Sequence, residues 1–154
     1  MQSVDLNNHF DENLFTSQLK AGTKNEVIEE LLDLFVAQKY VKNKQLVLDM
    51  FYQRETLGST ALGKGVAVPH GRTTATADVV IAFGRSPKGV DFTAPDGKPV
   101  HLFFMVIAPP NDEGNLYLPI LGSLVTLLNN ESNRKKLINA EKYEDLIAVI
   151  DGEG

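Results

Sequence analysis

One of the chain's three histidines stands in Gly63-Lys64-Gly65-Val66-Ala67-Val68-Pro69-His70-Gly71-Arg72. Proline fixes φ immediately before His70, Gly71 permits a sharp exit, and the two upstream glycines let the backbone pass close to another group. An imidazole held this way at a strand end is well placed to react. Neutral imidazole is a nucleophile near pH 7 and can take a phosphoryl group on one ring nitrogen, provided the other is held, usually by a backbone carbonyl. Upstream runs Arg54-Glu55-Thr56-Leu57-Gly58-Ser59-Thr60-Ala61-Leu62-Gly63. A guanidinium fork matches phosphate oxygens, and phosphoryl transfer depends on positioning and charge stabilisation. Ser59 and Thr60 follow a helix end and offer hydroxyl or backbone N–H donors. Singly, a Pro-His pair is an ordinary turn, Arg54 a surface ion pair and Ser-Thr a cap. Together they read as a phosphate cradle.

The rest of the composition narrows the alternatives. There is no cysteine, which removes disulfides, thiolate nucleophiles, iron–sulfur clusters and cysteine-ligated zinc. No HxH or HExxH spacing occurs, so no metal is expected. His9 reads as a solvated surface imidazole and His101 as a half-buried histidine entering an apolar strand. The formal net charge is −5 and no segment concentrates Lys and Arg, which argues against nucleic acid or an anionic membrane as partner. The longest apolar run, Leu102 to Ala108, falls far short of the roughly 20 residues that span a bilayer. Asp5, Asp11 and Glu12 stand where a secretory signal needs positive charge and then an apolar stretch. The expectation is a cytoplasmic protein of one domain over 1–154, with residues 1–10 a loose polar tail.

The elements that must position His70 follow from periodicity. Leu14 to Leu19 suggests a first strand. Thr23 and Glu26 have capping-box spacing ahead of a helix to about Lys39 that buries Val27, Ile28, Leu31, Leu32 and Phe35. Asn43 is placed to cap a second helix, ending before Gly58, with Leu46, Val47, Met50 and Phe51 as its buried face. Gly65 to Pro69 reads as a short strand stopped by proline. Val79–Phe83 and Val100–Ala108 are continuous apolar runs suited to strands covered on both faces. Gly84, Pro87 and Gly89 read as turns, with Val90 to Phe92 a further short strand. Tyr117 to Leu128 has helical spacing that places Pro119 in the first turn. Ser132 is the expected cap of a helix carrying Leu137 and Ile138, and a last helix bears Leu146, Ile147, Val149 and Ile150. Helices on either side of buried strands predict an α/β/α sandwich.

The joined pattern Arg54-Glu55…Gly58-Ser59-Thr60…Gly63-x-Gly65-Val66-Ala67-Val68-Pro69-His70-Gly71 resembles the signature of the fructose/mannitol/nitrogen class of enzyme IIA domains of the bacterial phosphoenolpyruvate-dependent phosphotransferase system. The resemblance continues through Val90-Asp91-Phe92, Asp96-Gly97, Pro99-Val100, Leu118-x-x-Leu121 and Leu137…Ala140, covering roughly residues 14–150. It implies a three-layer α/β/α fold with a mixed sheet. It also implies phosphorylation of His70 by the small carrier HPr or its nitrogen-branch relative, with Arg54 beside the phosphohistidine. Onward transfer to a IIB domain, or a regulatory target protein, is implied as the next partner; no organic cofactor or metal is. Family members commonly carry a second histidine at the start of a His-Leu-x-x-Leu helix. Here that slot is Tyr117, a neighbour able to donate one hydrogen bond but not to carry a positive charge. Lys64 and Arg72 flank the site and read as solvated charges first, and second as groups that favour anionic partners.

Three functions follow from these residues and the resemblance. The first is a regulatory phosphoryl carrier like the nitrogen-branch proteins, expected from a chain without fused modules and from Gly58 to Gly63. The second is a sugar-transport IIA component, and the third a non-phosphorylated binding module of the same fold. Retention of His70, Arg54 and the glycines together speaks against the third.

Overall fold

A computed structural model describes residues 5–152. Its elements are β1 (Phe10–Thr16), α1 (Lys24–Ala37), α2 (Lys44–Thr56), β2 (Ala61–Gly63), β3 (Val66–Ala67), β4 (His70–Arg72), β5 (Val80–Val90), β6 (Val100–Ala108), α3 (Tyr117–Asn129), α4 (Glu131–Ile138) and α5 (Tyr143–Gly152). Five strands order β1-β5-β6-β3-β2, and β4 joins β6 beyond β3. The sheet is mixed: β1 runs parallel to β5, β5 antiparallel to β6, and β3 and β4 both parallel to β6.

Alternation along β6 shows why the sheet is the middle of three layers. Phe103, Met105 and Ile107 face a core shared with α1 and α2, whereas Leu102, Phe104, Val106 and Ala108 face one shared with α3, α4 and α5. Every residue from Leu102 to Ala108 is buried, as an apolar run covered on both faces must be. Phe83 and Phe104 meet edge-on with centroids 5.0 Å apart on the α3 side, an arrangement worth about 1 kcal/mol beyond area burial.

The two helices of the first layer begin at the expected caps. The Thr23 hydroxyl accepts from Glu26 N and donates to the Glu26 carboxylate, and the Asn43 side chain accepts from Leu46 N. In α2 the buried face is Val47, Leu48 and Phe51. Leu46 is exposed and Met50 only packs against the core's edge.

Several boundaries differ from the periodicity. The first strand begins at Phe10 rather than Leu14, because it pairs with β5 from Ile81 onward. Residues 6–10 are not a loose tail: Leu6–His9 form a 3₁₀ turn, Leu6 and Phe10 are buried, and His9 Nδ1 donates to Val79 O at 2.8 Å. The solvated reading of His9 is corrected accordingly; residues 1–4 of that stretch lie outside the described residues. β5 continues through Gly84, Pro87 and Gly89 to Val90, with an irregularity in its pairing to β6 between Arg85 and Val90. β1 leaves β5 at Gly84, so Pro87 sits where no second neighbour requires its missing N–H. Asn130, not Ser132, caps α4 by accepting from Asn133 N. Pro119 lies in the first turn of α3 as expected.

Candidate functional site

β3 and β4 lie along one edge of β6, Val66 and Ala67 opposite Leu102 and Phe103, and His70 to Arg72 opposite Val106 to Ala108. Between them Val68-Pro69 steps out of the ladder. Val68 N donates to Thr60 O at 3.0 Å, and Val68 O accepts from His70 Nδ1 at 2.7 Å. A carbonyl can only accept, so Nδ1 carries the proton and the lone pair is on Nε2. That is the tautomer a nucleophilic imidazole needs, and His70 is half-buried with its ring fixed.

Strand geometry then sorts the neighbours. Successive side chains alternate between faces, so His70 and Arg72 point toward the α3 layer and Gly71 toward α2. A Cβ on Gly71 would stand 2.2 Å from Met50 Sδ; glycine here lets α2 pack directly on the strand carrying His70. On the other face the Tyr117 ring lies with its centroid 6.3 Å from that of His70, and the Arg72 guanidinium sits 4.7 Å from the Tyr117 centroid. Burial pushes the Tyr117 hydroxyl up to about 12, with the charges of Arg72 and then Arg54 opposing the rise. It is a neutral O–H donor throughout the physiological range. Asp112 accepts from the backbone N–H groups of Leu116 and Tyr117, fixing the start of α3.

Arg54 occupies the last turn of α2, where a cation complements the helix dipole. Its Nη1 donates to Gly58 O at 2.9 Å, leaving further N–H donors of the fork. Its charge reaches the Tyr117 hydroxyl, so the loop after α2 and the start of α3 border one site.

Ser59 and Thr60 stand differently from expectation. Ser59 Oγ donates to Phe92 O at 2.6 Å and accepts from Ala61 N. Thr60 Oγ1 donates to the Glu55 carboxylate, which also accepts from Thr60 N at 3.1 Å. A hydroxyl has one proton to donate, so neither side chain has an O–H left for a phosphate oxygen. Both brace the loop that holds Val68.

Asp112 is a residue sequence reasoning passed over; Glu55 was read only as part of the motif and Arg72 only as a charge flanking the site. Glu55 is largely buried, lies 3.0 Å from Lys24 Nζ and anchors Thr60. Replacing Glu55 with alanine strands the Lys24 charge and two Thr60 donors, and the expected cost is roughly 2–4 kcal/mol. It is read as a lowered urea midpoint at unchanged m-value; an unaltered midpoint would refute this bracing role. Its signal was its place beside Arg54 and five positions before Thr60. The contact of Arg72 with Tyr117 was hidden because the strand was expected to stop at Pro69.

Among the described residues no group of three or more His, Asp or Glu side chains is placed to hold a metal, and no helix is long and apolar enough to cross a membrane.

Comparison with known proteins bears on this arrangement. The family model described as "Phosphoenolpyruvate-dependent sugar phosphotransferase system, EIIA 2" matches residues 8–152. The fructose-specific EIIA component of Haloferax volcanii is 35% identical over 150 residues, 97% of each chain. The fructose-specific EIIABC component of Bacillus subtilis is 36% identical over 132 residues, 86% of this chain; the match spans only 21% of that longer protein. Among solved structures, the nitrogen regulatory protein IIA-Ntr from Neisseria meningitidis superposes with a TM-score of 0.85 at 31% identity, covering 93% of this chain and 97% of its own.

Proposed function

The chain belongs to the EIIA 2 family of the phosphoenolpyruvate-dependent sugar phosphotransferase system, and from that premise we propose that it is a phosphoryl carrier accepting its group on His70. The observation that carries the assignment is the 2.7 Å bond from His70 Nδ1 to Val68 O, which leaves the lone pair on a fixed Nε2, with the Tyr117 ring centroid 6.3 Å from the imidazole and the charges of Arg72 and Arg54 acting on that phenol. We take 1–154 as one domain acting in the cytoplasm without cofactor or metal, as a protein-to-protein phosphotransferase.

In the transfer, the Nε2 lone pair attacks phosphorus as the nitrogen–phosphorus bond of a protonated phosphohistidine on the donor breaks. The donor ring keeps that electron pair and leaves as neutral imidazole. His70 takes up the positive charge of the phosphorylated ring, its Nδ1 proton still donated to Val68 O. Old and new bonds are alike, so the protein's task is alignment and charge stabilisation of the equatorial oxygens. Arg54 is assigned that stabilisation, with Tyr117 as a hydrogen-bond donor and Ser59 and Thr60 as braces of the loop.

The donor is an HPr-type carrier, or its nitrogen-branch relative. Leu57, Leu62, Leu116 and Leu118 are exposed on the elements bordering His70, and transient interfaces bring such apolar groups together inside a polar rim. The likeness to a nitrogen regulatory protein supports a regulatory carrier acting on a target protein. The fructose-specific names of two relatives support the second reading, onward transfer to a IIB domain.

Intact mass after incubation with phosphoenolpyruvate, enzyme I and HPr tests the carrier. An acid-labile gain of one phosphoryl group is expected; no gain by folded protein alongside a working control acceptor would leave the binding-module reading. Adding a fructose-type IIB domain to the loaded chain then separates transport from regulation, because only the transport reading expects the group to move.

A further inference from the structure

The Tyr117 side chain is buried and its ring faces His70, but its hydroxyl bonds no protein group among the described residues. No buried side-chain oxygen or nitrogen among the described residues lacks a partner, so this hydroxyl is the part of Tyr117 that reaches solvent, as an amphipathic tyrosine at a surface site does. Here the O–H remains available beside the His70 imidazole, and the charges of Arg72 and Arg54 act on it. The same phenol, packed in the core at the start of α3, is contacted by Arg72. This arginine reaches the same face as His70 by the two-residue period of β4, places Cζ over the ring 4.7 Å from the centroid, and donates from Nη1 to Pro110 O at 3.3 Å. Arg72 is itself exposed, so its stem and fork contribute little to the core. An exposed arginine gains most by pointing into solvent, and a stacked one tied to a backbone carbonyl has lost that freedom.

We propose that Arg72 is a positioning residue for phosphoryl transfer: stacked on Tyr117, it aims the free phenol hydroxyl at the phosphoryl group on His70 and adds a second permanent positive charge to that of Arg54. This deepens the carrier assignment and rests on it. A doubly negative phosphoryl group on Nε2 then meets one guanidinium from α2, one O–H from α3 and the field of a second guanidinium from β4. Because neither arginine can lose its proton, the positive charge of this surround stays constant across the physiological range.

The test is the rate of phosphoryl transfer from phosphorylated HPr by rapid quench, for the intact chain and for Arg72→Met, Arg72→Lys, Tyr117→Phe and the Arg72→Met/Tyr117→Phe double variant. Arg72→Met is expected to lower the maximal rate about tenfold, less than a fully water-excluded donor would cost because the arginine is exposed. The HPr concentration at half-maximal rate should barely change. Arg72→Lys should recover much of the loss, since an ammonium also sits on a phenol face. Tyr117→Phe should cost less than Arg72→Met, because the Arg72 charge remains, and the double variant should be no slower than Arg72→Met, because the hydroxyl acts only when Arg72 aims it. Wild-type rates in Arg72→Met, a loss confined to the half-saturating concentration, or single effects that multiply would each overturn the proposal. If the unmodified chain takes up no phosphoryl group, the carrier assignment fails and this inference with it; normal loading of the unmodified chain beside an unaffected Arg72→Met overturns the positioning role alone.

Discussion

Phosphoryl loading is expected to disappear in His70→Ala and to persist in His9→Ala and His101→Ala. The expectation does not come from the hydrogen bond of His70 taken alone, because all three imidazoles donate from Nδ1 to a backbone carbonyl: Val79 for His9, Val68 for His70 and Ser86 for His101. All three therefore hold the nucleophilic tautomer. Surroundings separate them. Around His101 the chain closes in: a Cβ on Gly89 would lie 3.0 Å from its Nε2 and 2.7 Å from its Cε1, so a phosphoryl group has no room there. His9 shares a surface hollow with Asp78, Asp112 and Glu113, and carboxylates repel a phosphoryl dianion. Among the three, His70 is the one beside a phenol on which the charges of Arg72 and Arg54 both act. Acid-labile mass gain in the three variants, loaded by the same donors, is the measurement. Loading of His70→Ala would move the acceptor elsewhere, and the arrangement around β4 would need another purpose.

What could be read beforehand and what could not divides along the range of the interactions. The Thr23 and Asn43 caps were legible because a side chain and the backbone it caps lie within one turn. The both-face burial of β6 was legible because unbroken apolar runs leave no polar face. The need for a carbonyl on the second ring nitrogen followed from imidazole chemistry, although only the fold shows that Val68 supplies it. β4 was missed because proline ordinarily stops a strand, and Val68-Pro69 instead steps out of the ladder and returns to β6 at His70. Without β4 there is no alternation placing Arg72 on the face of His70, and its partner Tyr117 belongs to a helix on the far side of the sheet's longest strands. Ser59 and Thr60 illustrate the converse: their types suit a phosphate, but their O–H groups already donate to Phe92 O and the Glu55 carboxylate, a fact set by tertiary contacts.

The second large effect concerns Arg54. In Arg54→Ala the fold should persist, because the side chain is only half-buried and its bond to Gly58 O sits at an exposed turn, a loss of about 1 kcal/mol or less. The bracing carboxylate next to it, Glu55, faces Lys24 and Thr60 and is untouched. Transfer should nevertheless slow by about 10²–10³, the usual cost of removing a preorganised donor from developing charge. The penalty exceeds that expected for Arg72 on physical grounds: Arg54 is less exposed, so its charge is less screened, and its fork is not stacked on a ring. Arg54→Lys should recover only part of the rate, since an ammonium is a point charge and cannot span two phosphate oxygens as a planar fork does. The rate should fall equally in the forward and reverse directions, because the group stabilised is the one in flight and not either imidazole. Rapid-quench transfer in both directions, set beside urea unfolding of the same variants, gives the answer. An Arg54→Ala chain that transfers at the normal rate would remove the guanidinium from the mechanism and leave Arg72 as the arginine that matters.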